Sequence, residues 1–127
     1  MNEKPNRKFD LEERLIDFAV LIIEISESLN STRAGNHIGG QLVRSGTSPA
    51  LHYGEAQSAE SRNDFVHKLK ILLKELRESL VALKIIKRVS LTNKIDKIDK
   101  GILERNELIS IFVKSIDTAK KNNSKTK

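Results

Sequence analysis

Residues 62–89 read RNDFVHKLKILLKELRESLVALKIIKRV, and the fold follows from that stretch. Phe65, Leu69, Leu72, Leu76, Leu80 and Leu83 recur at spacings of three and four, the period that lines one face of an α-helix. The spacing predicts a helix over about 62–89, closed by Ser90-Leu91-Thr92-Asn93. A helix of this kind gains its stability from the face it buries, so it demands partner surfaces.

Those partners lie on either side. Upstream, residues 10–29 carry Leu11, Leu15, Phe18, Ile22, Ile25 and Leu29 on one stripe, and Asp10 and Glu13 have capping-box spacing. The segment Asn30-Ser31-Thr32-Arg33-Ala34-Gly35-Asn36 reads as a loop. A second helix is predicted over 37–60, with Ile38, Leu42, Pro49, Tyr53 and Ala56 inward. It is rich in small residues, which cost helix propensity but permit close backbone approach. Pro49 removes a backbone donor, so a kink or restart is expected there, with Thr47 or Ser48 as a second cap. Downstream, residues 94–120 carry Ile95, Ile98, Ile102, Ile109, Phe112, Val113 and Ile116, and Gly101 is a candidate break into two pieces. Residues 1–9 read as a flexible N-terminus and 120–127 as a disordered basic tail. The whole predicts an all-α protein: an antiparallel up-down four-helix bundle filling one domain, residues 10–119.

Composition narrows the function. Lysine and arginine outnumber acids 23 to 17, a net charge of +6, which favours polyanionic partners. There is no cysteine, so disulfides, thiolate metal sites and cysteine nucleophiles are excluded. The longest apolar run, Phe18 to Ile23, is too short to span a membrane. Met1 to Lys8 is polar and does not read as a signal peptide. A cytoplasmic protein is expected.

The helices carry more apolar surface than one bundle core uses. Ile16, Val20 and Ile23 lie opposite the core stripe of the first helix, and Ile71, Val81 and Ile85 opposite that of the third. Clustered apolar residues of this kind point to a subunit interface, so a homo-oligomer is predicted; the alternative is a wider core or a modest wet patch. Arg44, Ser48 and Glu55 share a face of the second helix and are candidates for capping a neighbour or pairing across subunits. On the third helix Lys70, Lys74, Arg77, Lys84 and Arg88 fall in one arc opposite the core. Such a stripe tracks phosphates, although it also reads as a solvated face with Glu75 and Glu78 nearby. With four Phe and one Tyr in the chain, base stacking is not expected to dominate.

Catalytic patterns are absent. His37, His52 and His67 have none of the spacings that metal ligands use. Gly35 to Gly40 lacks the lysine and hydroxyl of a phosphate-binding loop, and no strand precedes Ile38-Gly39-Gly40-Gln41. No cofactor, metal or small-molecule substrate is expected, and no enzyme activity.

The centre of the chain resembles a known family. Gln41-Leu42-Val43-Arg44-Ser45-Gly46-Thr47-Ser48-Pro49 is similar to the "Q-x-x-RS-x-TS" segment of the bacterial four-helix bundle proteins found in intervening sequences of 23S rRNA genes. The likeness continues through Tyr53-Gly54-Glu55-Ala56, Glu60 to Phe65 and His67 to Ser79. Phe18-Ala19 and Arg105-Asn106-Glu107-Leu108 match shorter motifs of the first and last helices, so the resemblance covers most of residues 9–117. The sequence departs from the pattern at Gly46, where alanine is usual, and at Pro49, His52 and Ala56, where isoleucine, asparagine and glycine are common. What the resemblance implies is a four-helix bundle that assembles as a homopentamer, a ring with a central funnel. It is also related to the basic pentameric accessory proteins of diversity-generating retroelements, which engage nucleic acid and a reverse transcriptase. Most members have no assigned molecular function, and none is associated with an enzyme activity.

Two readings follow: a non-catalytic oligomer associated with RNA, contacting phosphates through the basic stripe, or a protein–protein scaffold without nucleic-acid contact.

Overall fold

Three side-chain caps fix where helices begin. Asp10 Oδ1 accepts from the Glu13 N–H at 3.2 Å, Thr32 Oγ1 from Gly35 at 3.0 Å, and Ser61 Oγ from Asp64 at 3.0 Å. Each supplies an acceptor that the first turn of a helix lacks. In a computed structural model, which describes residues 10–125, the helices are α1 (Leu11–Glu27), α2 (Arg33–Gln57), α3 (Arg62–Arg88) and α4 (Ile95–Lys125), with no strand among the described residues.

They form an antiparallel bundle in which each helix packs on its neighbour in the chain and α4 closes back onto α1. The α2–α3 seam is the most extensive and the closing α1–α4 seam the loosest. Leu15, Phe18, Ile22, Ile25, Leu42, Leu69, Leu72, Leu76, Leu83, Ile98 and Phe112 are buried in the shared core, as their spacing predicts. Tyr53 meets Phe112 edge-on, with ring centroids 5.6 Å apart. Val113 does not join the core; it is 38% exposed on α4.

Three features differ from the sequence reading. First, α2 starts at Arg33, so half of the expected loop is helix. Thr32 is the reason: its side chain caps Gly35 and its carbonyl accepts from Asn36 at 2.8 Å. Gly35 is required there, because a Cβ would collide with the Asn30 carbonyl. Second, α2 passes Pro49 without a restart. The buried proline packs into the core, and Thr47 Oγ1 donates back to Val43 O at 2.7 Å instead of capping a new helix. Third, α4 is one helix through Gly101 and continues to Lys125, beyond the expected end at 120. Gly101 is buried against Leu83, Ile25 and Leu21, so packing on α1 and α3 carries the helix across it. Residues 1–9, read as a flexible terminus, and the last two residues of the tail lie outside the described residues.

The α3 end is closed by backbone geometry. Ser90 takes a left-handed conformation (φ 55°), and Leu91 N–H reaches back to Ile86 O at 3.2 Å, the six-to-one bond of a Schellman motif. Leu91 O then accepts from Asn30 N–H at 2.8 Å, and Ser28 Oγ lies 2.7 Å from Thr92 Oγ1. These bonds tie the α1–α2 and α3–α4 connections together. Among the described residues, no helix is long and apolar enough to cross a membrane.

Candidate nucleic-acid interface

Helix α3 presents two polar sides, and the core decides which residues fall on each. With Leu69, Leu72, Leu76 and Leu83 turned inward, Glu75 and Glu78 rotate toward α2 while Lys70, Lys74, Arg77, Lys84 and Arg88 rotate outward. All five cations are exposed, and among the described residues none is in an ion pair. Lys70 and Arg88 are eighteen residues apart, so the stripe is roughly 27 Å long at the helical rise.

The acids beside the stripe are neutralised from the other side. Arg44 Nη1 donates to Glu75 Oε1 at 3.0 Å and to Oε2 at 3.2 Å, and Nη2 donates to Glu78 Oε1 at 2.7 Å. The Arg44 guanidinium holds the Glu78 carboxyl below its ordinary range, and Glu78 then Glu75 raise Arg44. Beneath the clamp, Ser79 Oγ lies 3.3 Å from Ser45 Oγ. Further along the seam Lys68 Nζ donates to Glu55 Oε1 at 3.0 Å, and that bond lowers the Glu55 carboxyl. Arg44 and Glu55, singled out as candidates for an intersubunit face, thus engage α3 of the same chain; Ser48 beside them is half-buried. The second helix's arginine–serine motif acts here as a clip between α2 and α3.

Other cations are engaged elsewhere. Arg14 Nε and Nη2 grip Glu104 at 3.0 and 2.8 Å, and Nη2 also reaches Glu107 at 2.8 Å, joining α1 to α4. Lys87 pairs with Asp99 at 2.7 Å. Arg105 is the residue that sequence reading missed. It is 8% exposed; Nε donates to Leu76 O at 3.1 Å and Nη1 to Asn106 Oδ1 at 2.6 Å. Burial lowers its pKa from the ordinary value, and the nearby Arg77 charge lowers it further. Only its place in a short motif marked it, since spacing cannot reveal that no carboxylate among the described residues meets it.

The surplus apolar residues lie on two separate faces. Ile16, Val20 and Ile23 are 38%, 49% and 43% exposed on α1. Val81 and Ile85 are 57% and 43% exposed on α3, where they border Ile38 and Arg44 of α2, while Ile71 is half-buried. A concavity of about 760 Å³ is an open groove at one end of the bundle between Leu11, Phe65, Ile111 and Ala119. Its Arg14 and Glu107 are already paired with each other. Among the described residues no three His, Asp or Glu side chains converge as metal ligands would.

Residues 7–114 match the family described as 23S rRNA-intervening sequence protein. Among solved structures the chain is similar to a crystal structure from Bacteroides thetaiotaomicron VPI-5482, described as a protein with unknown function from the S23 ribosomal protein family. The two share 28% identity over 83% of this chain and 96% of that one, with a TM-score of 0.75. No curated protein matches the chain at a significant level.

Proposed function

This chain belongs to the 23S rRNA-intervening sequence protein family, and from that premise we propose that it is a non-catalytic, nucleic-acid-associated oligomer whose ligand is RNA. The observation that carries the reading is the outer face of α3. Five exposed cations share it without an ion-pair partner among the described residues, while the acids of the same helix are drawn off by Arg44. Lys70, Lys74, Arg77, Lys84 and Arg88 contact phosphates and release counterions, which makes binding salt-dependent and weakly sequence-selective. A cytoplasmic location accords with an RNA ligand.

Self-association accompanies this role. Two different apolar faces on one protomer suit head-to-tail contact, the kind that closes into a ring. The homopentamer implied by the family resemblance is such a ring, with the Ile16–Val20–Ile23 face of one copy covering the Val81–Ile85 face of the next. Val20→Asp is then expected to shift the mass measured by light scattering toward the 14.3 kDa monomer.

RNA binding is tested by titrating a labelled single-stranded RNA with the full chain at low salt. The expected result is measurable affinity that falls with added KCl and is lost when Lys70, Lys84 and Arg88 are together changed to Glu. No binding at low salt, or binding untouched by the three reversals, overturns it. Retention of a partner protein after nuclease treatment, with no affinity for RNA, favours the scaffold reading.

A further inference from the structure

Three arginines reach across seams of the bundle, and only two are neutralised. Arg14 holds two carboxylates of α4, and Arg44 holds two of α3. Arg105 holds a backbone carbonyl and a side-chain amide oxygen, neither of which carries charge. Burying an ion without a counterion is costly, and the ordinary remedy is a paired carboxylate. Here the neighbouring charge is another guanidinium, Arg77.

The remaining donors have somewhere to go. Nε and Nη1 of Arg105 are used, and no partner meets Nη2 among the described residues. Arg105 keeps 8% of its surface exposed where it bonds α3, so the site is nearly but not wholly closed. A planar guanidinium held rigidly by two bonds keeps its outer donors aimed, which suits an oxyanion that accepts several bonds at once.

We infer that Arg77 and Arg105 form a phosphate-binding site at the α3–α4 seam, filled by a phosphodiester of the strand lying along α3. The choice of a phosphodiester rests on the proposed RNA association; the anion site itself does not. The stripe favours a repeated anion over a single carboxylate. Lys70 and Lys84 flank Arg77 at seven residues each, about 10 Å along the helix on either side. A strand passing over them presents a phosphate at each, and Arg105 anchors the middle one.

Two probes separate the layers of this proposal, both with the full chain. Inorganic pyrophosphate is titrated while thermal unfolding is followed, and a labelled twelve-nucleotide RNA is titrated by anisotropy. The variants are Arg77→Gln, Arg105→Met and, as a control cation on the α1 side of α4, Lys100→Gln. Pyrophosphate is expected to raise the Tm of the parent and the control but not of the Arg77 and Arg105 variants. RNA affinity is expected to fall about tenfold in each of those two variants and to change little in the control, the size of one charge-assisted contact. Arg77 is exposed, so its variant keeps the test decisive if the Arg105 variant fails to fold. Affinity lost on reversing Lys70, Lys84 and Arg88 but no weaker in the Arg77 and Arg105 variants than in the control overturns this site and leaves the RNA reading standing. An Arg77-dependent pyrophosphate effect with no RNA binding supports the site and overturns the RNA reading. Binding of a polyglutamate peptide in place of RNA assigns the site to an acidic protein, against the phosphodiester. No response to either phosphate probe overturns both.

Discussion

The α2–α3 and α3–α4 seams share one helix, and each is crossed by an arginine, yet the two arginines are settled in opposite ways. Across α2–α3, Arg44 meets Glu75 and Glu78, and Lys68 meets Glu55. Across α3–α4, Lys87 meets Asp99, but Arg105 meets only neutral oxygens among the described residues and lies near Arg77. One arginine is spent on holding helices together. The other keeps its charge on the side that also carries the exposed lysines. The comparison teaches that net charge alone says little about where a polyanion binds; what counts is which cations the fold has left without acids.

The α1–α2 seam, crossed by none of the ion pairs described above, carries the largest expected effect. A Cβ on Gly46 would lie 2.5 to 2.9 Å from Ile22 Cγ2, Cγ1 and Cβ, inside a fully buried side chain that has nowhere to move. Gly46→Ala gains about 1 kcal/mol of helix propensity but overpacks the core, so a net loss of roughly 1–2 kcal/mol is expected in urea unfolding. In an Ile22→Ala background the same change should cost nothing, a coupling that a double-mutant cycle reads directly. Next comes the charged clip. Arg44→Met leaves the nearly buried Glu75 carboxylate beside Glu78 without a cation, and about 1 kcal/mol of stability should be lost; solvent screening of the half-exposed Arg44 keeps the figure small. Arg105→Met should differ in sign. It removes an uncompensated buried charge at the expense of two hydrogen bonds, so stability should stay within about 0.5 kcal/mol of the parent or rise. A loss as large as that of the Arg44 variant would show that Arg105 is a strut like the others.

The smallest effect is on pH dependence. The Glu78 carboxyl is held below the ordinary value of 4.5 by Arg44, and Glu55 is lowered by Lys68. A depressed carboxyl contributes stability that is fully present above that ordinary value and is lost as pH falls through the lowered one. The parent should therefore lose Tm more steeply than the Arg44 variant as the solution is acidified from about pH 5 to about pH 3.

Much of this fold was legible because helix periodicity is local. Leu15, Phe18, Ile22 and Ile25 of α1 and Leu69, Leu72, Leu76 and Leu83 of α3 are buried as spacing selects, and Asp10 caps α1 as its sequence indicates; Leu80 stays half-buried, while Leu21, Leu73 and Ile86 join the core from beside the stripes. Legibility failed where the deciding contact is made by the backbone or by a distant residue. Thr32 and Gly35 extend α2 because the Asn30 carbonyl packs against a missing Cβ, which composition alone reads as a loop. The small residues of α2 signalled close approach correctly at Gly46, but a Cβ at Gly40 or Gly54 would meet nothing within 4 Å. The basic stripe was legible as a pattern, and its surplus was not. That surplus depends on Arg44 reaching Glu75 thirty-one residues away, and on Arg105 meeting no acid among the described residues.

The central claim is that the unpaired α3–α4 charges, not the overall excess of +6, bind phosphate. Lys100→Gln, on the α1 side of α4, and Arg105→Met each remove one positive charge, so they form a matched pair. The direct measurement is the slope of log affinity against log salt for RNA binding by the parent and both variants. The slope should become shallower by about one in the Arg105 variant and stay at the parental value in the Lys100 variant. Equal changes in both, or none in the Arg105 variant, would contradict the account.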